Sequence, residues 1–268
     1  MDLRTFYWQP ETDSRRFRRT ARFRYGNAGD SFNIDLAAWR YPDHPLVNDG
    51  AETGGRLLMV GSTGHRALDG DLLSGVGLKQ AELPVRDGRD LSIHGLRGPM
   101  SLEAFERAGH DTSAVRFLGD PGLLIGQVFP QLGRIAAARG RVSYLPHYRE
   151  KDGLRSDRRR RIIDIDAPAL EVGRRIARSE VVVSSSLHGI IWAHALGRPV
   201  RPVGPPKGEA PFKFHDYFAS IGAVYRPATS VEEALREPIP AVPEGVGAAI
   251  EGIVLPDADA LRSRGVLR

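Results

Sequence analysis

A chain of 268 residues with 41% apolar and 7% aromatic content can bury a substantial core, which excludes a disordered chain; no apolar run reaches the roughly 18 residues of a membrane span. The absence of cysteine removes disulfides, thiolate metal sites and cysteine nucleophiles together. The net charge of +5 is carried by 34 Arg against 4 Lys, and arginine-rich surfaces attract phosphate, acidic glycans and anionic lipid headgroups.

In chain order, the opening "MDLRTFYWQPETDSRRFRR" lacks the apolar core of a secretory signal, so a cytoplasmic location is expected. Arginines cluster at 15–24 and 155–161, but no nucleic-acid module accompanies them and no nucleic-acid partner is expected. "ARFRY" (21–25) predicts a strand that runs into the turn "GNAGD" (26–30), and helical spacing follows in "SFNIDLAAW" (31–39). "RLLMVGS" (56–62) and "DLSIHGLRGP" (90–99) predict strands. Pro99 suits the first turn of a helix over 100–109, which Gly109 stops. "VRFLGDPGLLI" (115–125) predicts a strand ending in a Gly-Asp-Pro-Gly turn. A second series begins at "GRVSYLPHY" (140–148): strand 160–166, helix 168–179, buried strand 180–185, helix 187–197 and strand 198–203.

Strands alternating with helices in two blocks predict an α/β protein of two domains, 1–135 and 136–268, each built on a parallel sheet. Such sheets present ligands at the carboxyl ends of their strands, and two facing domains leave a cleft. The motifs that carry chemistry all fall at such strand ends.

In "SEVVVSSSLHGIIWAHALGRPV" (179–200) a buried strand breaks into three serines and a histidine before a helix begins. One serine would cap that helix, and Ser184, Ser185 and Ser186 exceed the need. The corner is therefore either a capping network or an anion site in which His188 meets the anion or exchanges a proton with it. "GNAGD" is neither a dinucleotide fingerprint nor a P-loop; Asp30 is an N-cap, or the turn admits substrate to the backbone. Arg97 precedes a helix where it can bind a carboxylate or phosphate, or form a salt bridge. Asp120 fits a capping turn. His147 follows the first strand of the second block, and "FKFHDYF" (212–218) carries Lys213, one of the four lysines. No metal-ligand spacing and no G-x-S-x-G elbow is present, so neither a metal site nor a serine hydrolase is expected.

In order, "GNAGD", "SGVG" (74–77), "LRGPMSLEAFERAG", "LGDPGLL", "YLPHY", "SSSLHGIIWAHALGRPV" and "FKFHDYFASIG" resemble the polysaccharide pyruvyltransferase family across residues 21–222. The resemblance implies two Rossmann-like domains facing across a cleft, GT-B-like, with the acceptor on the first domain and the donor on the second. It implies transfer of pyruvate from phosphoenolpyruvate, as co-substrate and without a cofactor, onto two hydroxyls of a sugar or lipid-linked oligosaccharide. The product is a pyruvate ketal, with release of phosphate. His188 and His147 would then be the acid–base pair; Arg97, Ser185, Ser186 and Lys213 would hold the donor, and Asn27 and Asp30 the acceptor. Many members carry an arginine where this chain has Ser186, which puts the grip on phosphate in question. The resemblance also implies peripheral contact with an anionic inner membrane face through Arg15–Arg24. The rival readings are a GT-B glycosyltransferase using a sugar nucleotide and a non-enzymatic protein that binds glycans or anionic surfaces.

Overall fold

The computed structural model describes residues 1–9, 23–50, 53–83, 90–150, 161–236 and 238–268. Its first half runs β1 (Leu3–Thr5), α1 (Ala28–Arg40), β2 (Leu46–Asn48), β3 (Leu57–Leu58), β4 (Leu72–Ser74), β5 (Ser92–Leu96), α2 (Pro99–Arg107), β6 (Phe117–Leu118) and the single turn α3 (Ile125–Val128). The second half runs β7 (Val142–Leu145), β8 (Arg161–Ile162), α4 (Ala169–Ala177), β9 (Val181–Ser184), α5 (Leu187–Ala195), β10 (Val200–Pro202) and α6 (Phe212–Ser220). Three short helices follow: α7 (Val231–Ala234), α8 (Gly245–Gly252) and α9 (Ala258–Ser263). The strands form a six-stranded sheet in the order β2-β1-β3-β4-β5-β6 and a four-stranded sheet in the order β10-β9-β7-β8, and every pairing is parallel. The expected α/β class and parallel sheets are therefore present.

Strands covered on both faces must be apolar at consecutive positions, because successive side chains point to opposite sides. The core follows this rule. Leu57 and Leu72 belong to one apolar cluster, while their neighbours Leu58 and Leu73 belong to a second, with Phe105 of α2. Val182 and Leu145 join the first cluster, while Val183 and Tyr144 face a third. The first cluster crosses the expected boundary at 135/136: it holds Leu3, Phe32 and Leu57 from the first half with Leu145, Val182 and Trp192 from the second. Phe32 of α1 meets Trp192 of α5 edge-on at 5.7 Å. The C-terminal residues return to the first sheet, where Leu267 bridges Leu3 antiparallel and Arg4 donates its N–H to the Val266 carbonyl.

Two corrections concern the start of the site. Phe23–Tyr25 forms no strand; the sheet is entered instead through β1, and β2 forms its edge. The N–H groups of Arg24, Tyr25 and Gly26 donate to the Asp166 carboxylate, at 2.7–3.0 Å, and so are withdrawn from any strand ladder. Asp30 is not the N-cap of α1. Asn27 takes that place, its side chain accepting from the Gly29 N–H at 3.2 Å, and Gly26 turns the chain into it at φ +107°. Pro99 opens α2 and Gly109, at φ +80°, ends it, both as expected. The arginines at 15–22 and 155–160 lie outside the described residues, and no helix among the described residues is long and apolar enough to cross a membrane.

Candidate active site

The three serines at the end of β9 and just beyond it do three different things. Ser184 Oγ donates to the Leu145 carbonyl at 2.8 Å and accepts from the Ser186 N–H at 3.0 Å, which locks the strand end to β7. Ser185 Oγ accepts from the His147 N–H at 2.8 Å and donates to Glu150 Oε2 at 2.5 Å. Ser186 is the N-cap of α5, its Oγ facing the Gly189 N–H at 3.5 Å. Ser186 alone of the three reaches the cavity at this corner; Ser185, expected beside the donor, instead fixes the loop that carries His147.

That cavity, about 620 Å³, is lined by residues of both halves. Asn27, Asp30, Ser62, Thr63, His65, Arg66 and Lys79 come from the first, and His147, Tyr148, Arg149, Ser186, Leu187, His188, Glu209 and Lys213 from the second. Phe6 and Trp8 complete an aromatic side, where Trp8 packs on Tyr148 with ring centres 5.4 Å apart. Six of the eight residues singled out from the sequence thus share one space: Asn27, Asp30, His147, Ser186, His188 and Lys213.

Arg97 is not among them. It is wholly buried, and Nε donates to Asp216 Oδ2 at 3.0 Å, Nη2 to the Leu78 carbonyl at 2.6 Å and Nη1 to Ser62 Oγ at 2.7 Å. Asp216, on α6, also accepts from the Ser101 N–H and hydroxyl at the start of α2. A guanidinium so engaged braces the cavity wall through Ser62 and acts on the space by its field.

His188 occupies the first turn of α5 and packs closely against Gly29 of α1. A Cβ at Gly29 would sit 2.0 Å from its Nδ1, so only glycine allows this approach. Its Nε2 is buried and has no hydrogen-bond partner among the described residues. Burial, helped by the charges of Lys213 and Arg97, pushes His188 down to about 3. Burial and Lys213 do the same to His147, also to about 3. Both imidazoles are therefore neutral at pH 7, each with one N–H to donate and one nitrogen to accept.

Asp30 moves the opposite way. Burial raises it to about 7, against the pull of Lys213 and Lys79, and the nearby Asp120 charge pushes it further up. Asn27 Nδ2 donates to its Oδ2 at 2.7 Å. Lys213 is lowered by burial and donates to Glu209 Oε1 at 2.5 Å; Glu209 also pairs with Arg149 at 3.4 Å. Asp120 caps the turn Pro121–Leu124 through the Gly122 N–H at 2.8 Å, as its motif suggested. Chemically, the space offers an anion-binding helix start, cationic charge, two neutral imidazoles and one carboxyl group that gains and loses a proton near neutrality. Among the described residues no three His, Cys, Asp or Glu side chains are grouped to hold a metal.

Sequence reasoning missed Thr63, His65, Arg66, Lys79, Trp8, Tyr148, Arg149 and Glu209. The scarcity of lysine, which singled out Lys213, also points to Lys79: two of the four lysines line this cavity.

Among solved structures, a functionally uncharacterized protein of Klebsiella pneumoniae subsp. pneumoniae aligns with 85% of this chain and 93% of its own, at 13% identity and a TM-score of 0.47. An uncharacterized protein of Acanthamoeba polyphaga mimivirus is 28% identical over 209 residues, 73% of this chain and 71% of that protein. The succinoglycan biosynthesis protein ExoV of Rhizobium meliloti is 26% identical over 243 residues, 84% of this chain and 67% of ExoV. The model of the polysaccharide pyruvyl transferase family matches residues 87–206, the stretch from β5 to β10 that carries His147, the three serines and His188. Over residues 87–206 the chain is thus similar to the polysaccharide pyruvyl transferase family.

Proposed function

We propose that the protein transfers pyruvate from phosphoenolpyruvate onto two hydroxyls of one sugar unit in polysaccharide synthesis, forming a pyruvate ketal and releasing phosphate. The observation that carries this reading is the meeting, in one cavity, of the α5 start with its unpartnered His188 Nε2, two lysines, and the Asp30 carboxyl poised at about 7. The donor is an anion at both ends, and its phosphate suits the N–H groups and dipole of α5, the neutral His188 imidazole and Lys213.

The chemistry needs one group able to give a proton to carbon and take one from oxygen. In the first step a sugar hydroxyl adds to C2, Asp30 delivers its proton to the methylene C3, and the hydroxyl proton passes to His147. The two charged groups of the bound donor raise the basicity of that imidazole above its value in the free protein. In the second step the neighbouring hydroxyl forms its bond to C2 as the C2–O bond to phosphate breaks. Asp30 recovers a proton from that hydroxyl, and the imidazolium protonates the departing phosphate. The balance is one ketal carboxylate and one hydrogen phosphate per donor, with both enzyme groups restored. The recessed position of Asp30 and the buried imidazoles keep water from competing for C2.

The test is calorimetric titration of the protein and of His188→Ala with phosphoenolpyruvate, beside UDP- and GDP-sugars. Binding of phosphoenolpyruvate that weakens at least tenfold in the variant supports the reading. Binding of a sugar nucleotide with none of phosphoenolpyruvate would replace it with glycosyl transfer.

A further inference from the structure

The cavity holds more positive charge than its own carboxylates balance. Lys213 is matched by Glu209, which also takes Arg149. Lys79 lines the same space from the first half, and it has no carboxylate or hydrogen-bond partner among the described residues. Its field still reaches residues on separate segments: it lowers His65 and His147 and pulls against the rise of Asp30. Lys79 thus lines the space that Asp30, His65 and His147 also line.

The chain leading to Lys79 is fixed on every side. The Gly77 N–H donates to the Gly61 carbonyl at 3.0 Å, and the Leu78 N–H to Ser101 Oγ at 3.2 Å. The Leu78 carbonyl accepts from Arg97 Nη2 at 2.6 Å, and a Cβ at Gly77 would strike that guanidinium at 2.2 Å. A buried ion pair thus sets the backbone from which an exposed, uncompensated lysine projects. An exposed lysine on an ordinary surface strand needs no such fixing. Ser186, which meets the cavity from the α5 side, brings no charge.

We propose that Lys79 binds the carboxylate of the donor, while the α5 start and Lys213 bind its phosphate. The assignment rests on the phosphoenolpyruvate reading above and deepens it. A donor held only by its phosphate pivots about that end. A second cation from the facing wall removes that freedom and presents the methylene carbon to Asp30. Carboxylate and phosphate thus have separate ligands on separate halves of the chain.

The two ends can be told apart by titrating inorganic phosphate and phosphoenolpyruvate into the full chain and into Lys79→Met, Lys79→Arg and Lys213→Met. Lys79→Met is expected to weaken phosphoenolpyruvate at least tenfold and phosphate by less than twofold, and Lys79→Arg to recover most of the loss. Lys213→Met is expected to weaken both ligands. Equal losses of both ligands in Lys79→Met, or no loss of either, would overturn the assignment. A parent protein that binds phosphate no more weakly than phosphoenolpyruvate would also overturn it, because the carboxylate would then have no ligand. Failure of the parent to bind either ligand would instead remove the donor reading itself. The melting temperature of Lys79→Met, at an exposed position, is expected to match the parent and so separates lost binding from lost fold.

Discussion

Asp30 is a carboxylic acid in a place where water stabilises its charge poorly, and this sets both its use and its cost. Its proton is still half present near pH 7, so the rate of transfer is expected to decline as pH rises above about 7 and the acid form is lost. Asp30→Asn keeps the Asn27 contact in shape, and phosphoenolpyruvate should bind it within about threefold of the parent. Turnover should fall on the order of 10² to 10⁴, read by phosphate release with a competent acceptor. The same shift has a stability consequence of fixed sign. The folded value lies above the ordinary carboxylate value of 3.8, so the stability it contributes is fully present below about pH 4 and is lost as pH rises through about 7. Asp30→Asn is therefore expected to melt higher than the parent at pH 8 and to show no such gain at pH 4. Beside it, Gly29→Ala places a methyl group within 2.0 Å of the His188 ring. Denaturant unfolding should show a loss of about 1–3 kcal/mol, with weaker donor binding because the imidazole is displaced.

At the level of elements, the site exists because β9 stops at Ser184 and α5 starts at Leu187, with the serines filling the corner. That corner was legible in the sequence, because a run of valines followed by serines and then helical spacing has few other readings. The helices α4 and α5 were legible as well, each placed between two strands of the alternating pattern. β1 and β2 were not: strands of three residues are too short for any period to show, and Arg4 and Asn48 disguise them. The placement of Arg97 failed for a different reason. A guanidinium before a helix reads as open to an anion until its partner, Asp216, is known, and that partner lies 119 positions away. Lys79 was hidden likewise, since nothing local shows that its segment and α5 border one space. Asp30 was visible as a residue but not as an acid, because its proton depends on burial that only the assembled walls create.

The whole molecule is held across its two sheets by one apolar cluster and by the buried Arg97–Asp216 pair. Removing one member of such a pair leaves an uncompensated charge in the interior, which costs more than the pair itself is worth. Asp216→Ala is accordingly expected to lose about 3–5 kcal/mol in chemical denaturation. Because the cluster is shared, the loss should appear as a shift of one cooperative transition. Two resolved transitions would mean that the sheets unfold separately and that the common core contributes little to their coupling.

The aromatic side of the cavity has one more consequence. The chain has three tryptophans: Trp192 is sealed in the core, Trp39 is open to solvent, and Trp8 stands at the cavity with its ring against Tyr148. Their surroundings differ enough to give them distinct emission, and exchanging Trp39 for phenylalanine would strip away the solvent-exposed signal. The protein thus carries its own fluorophore at the cavity, and binding of the proposed donor or acceptor there is expected to change its emission without an attached dye.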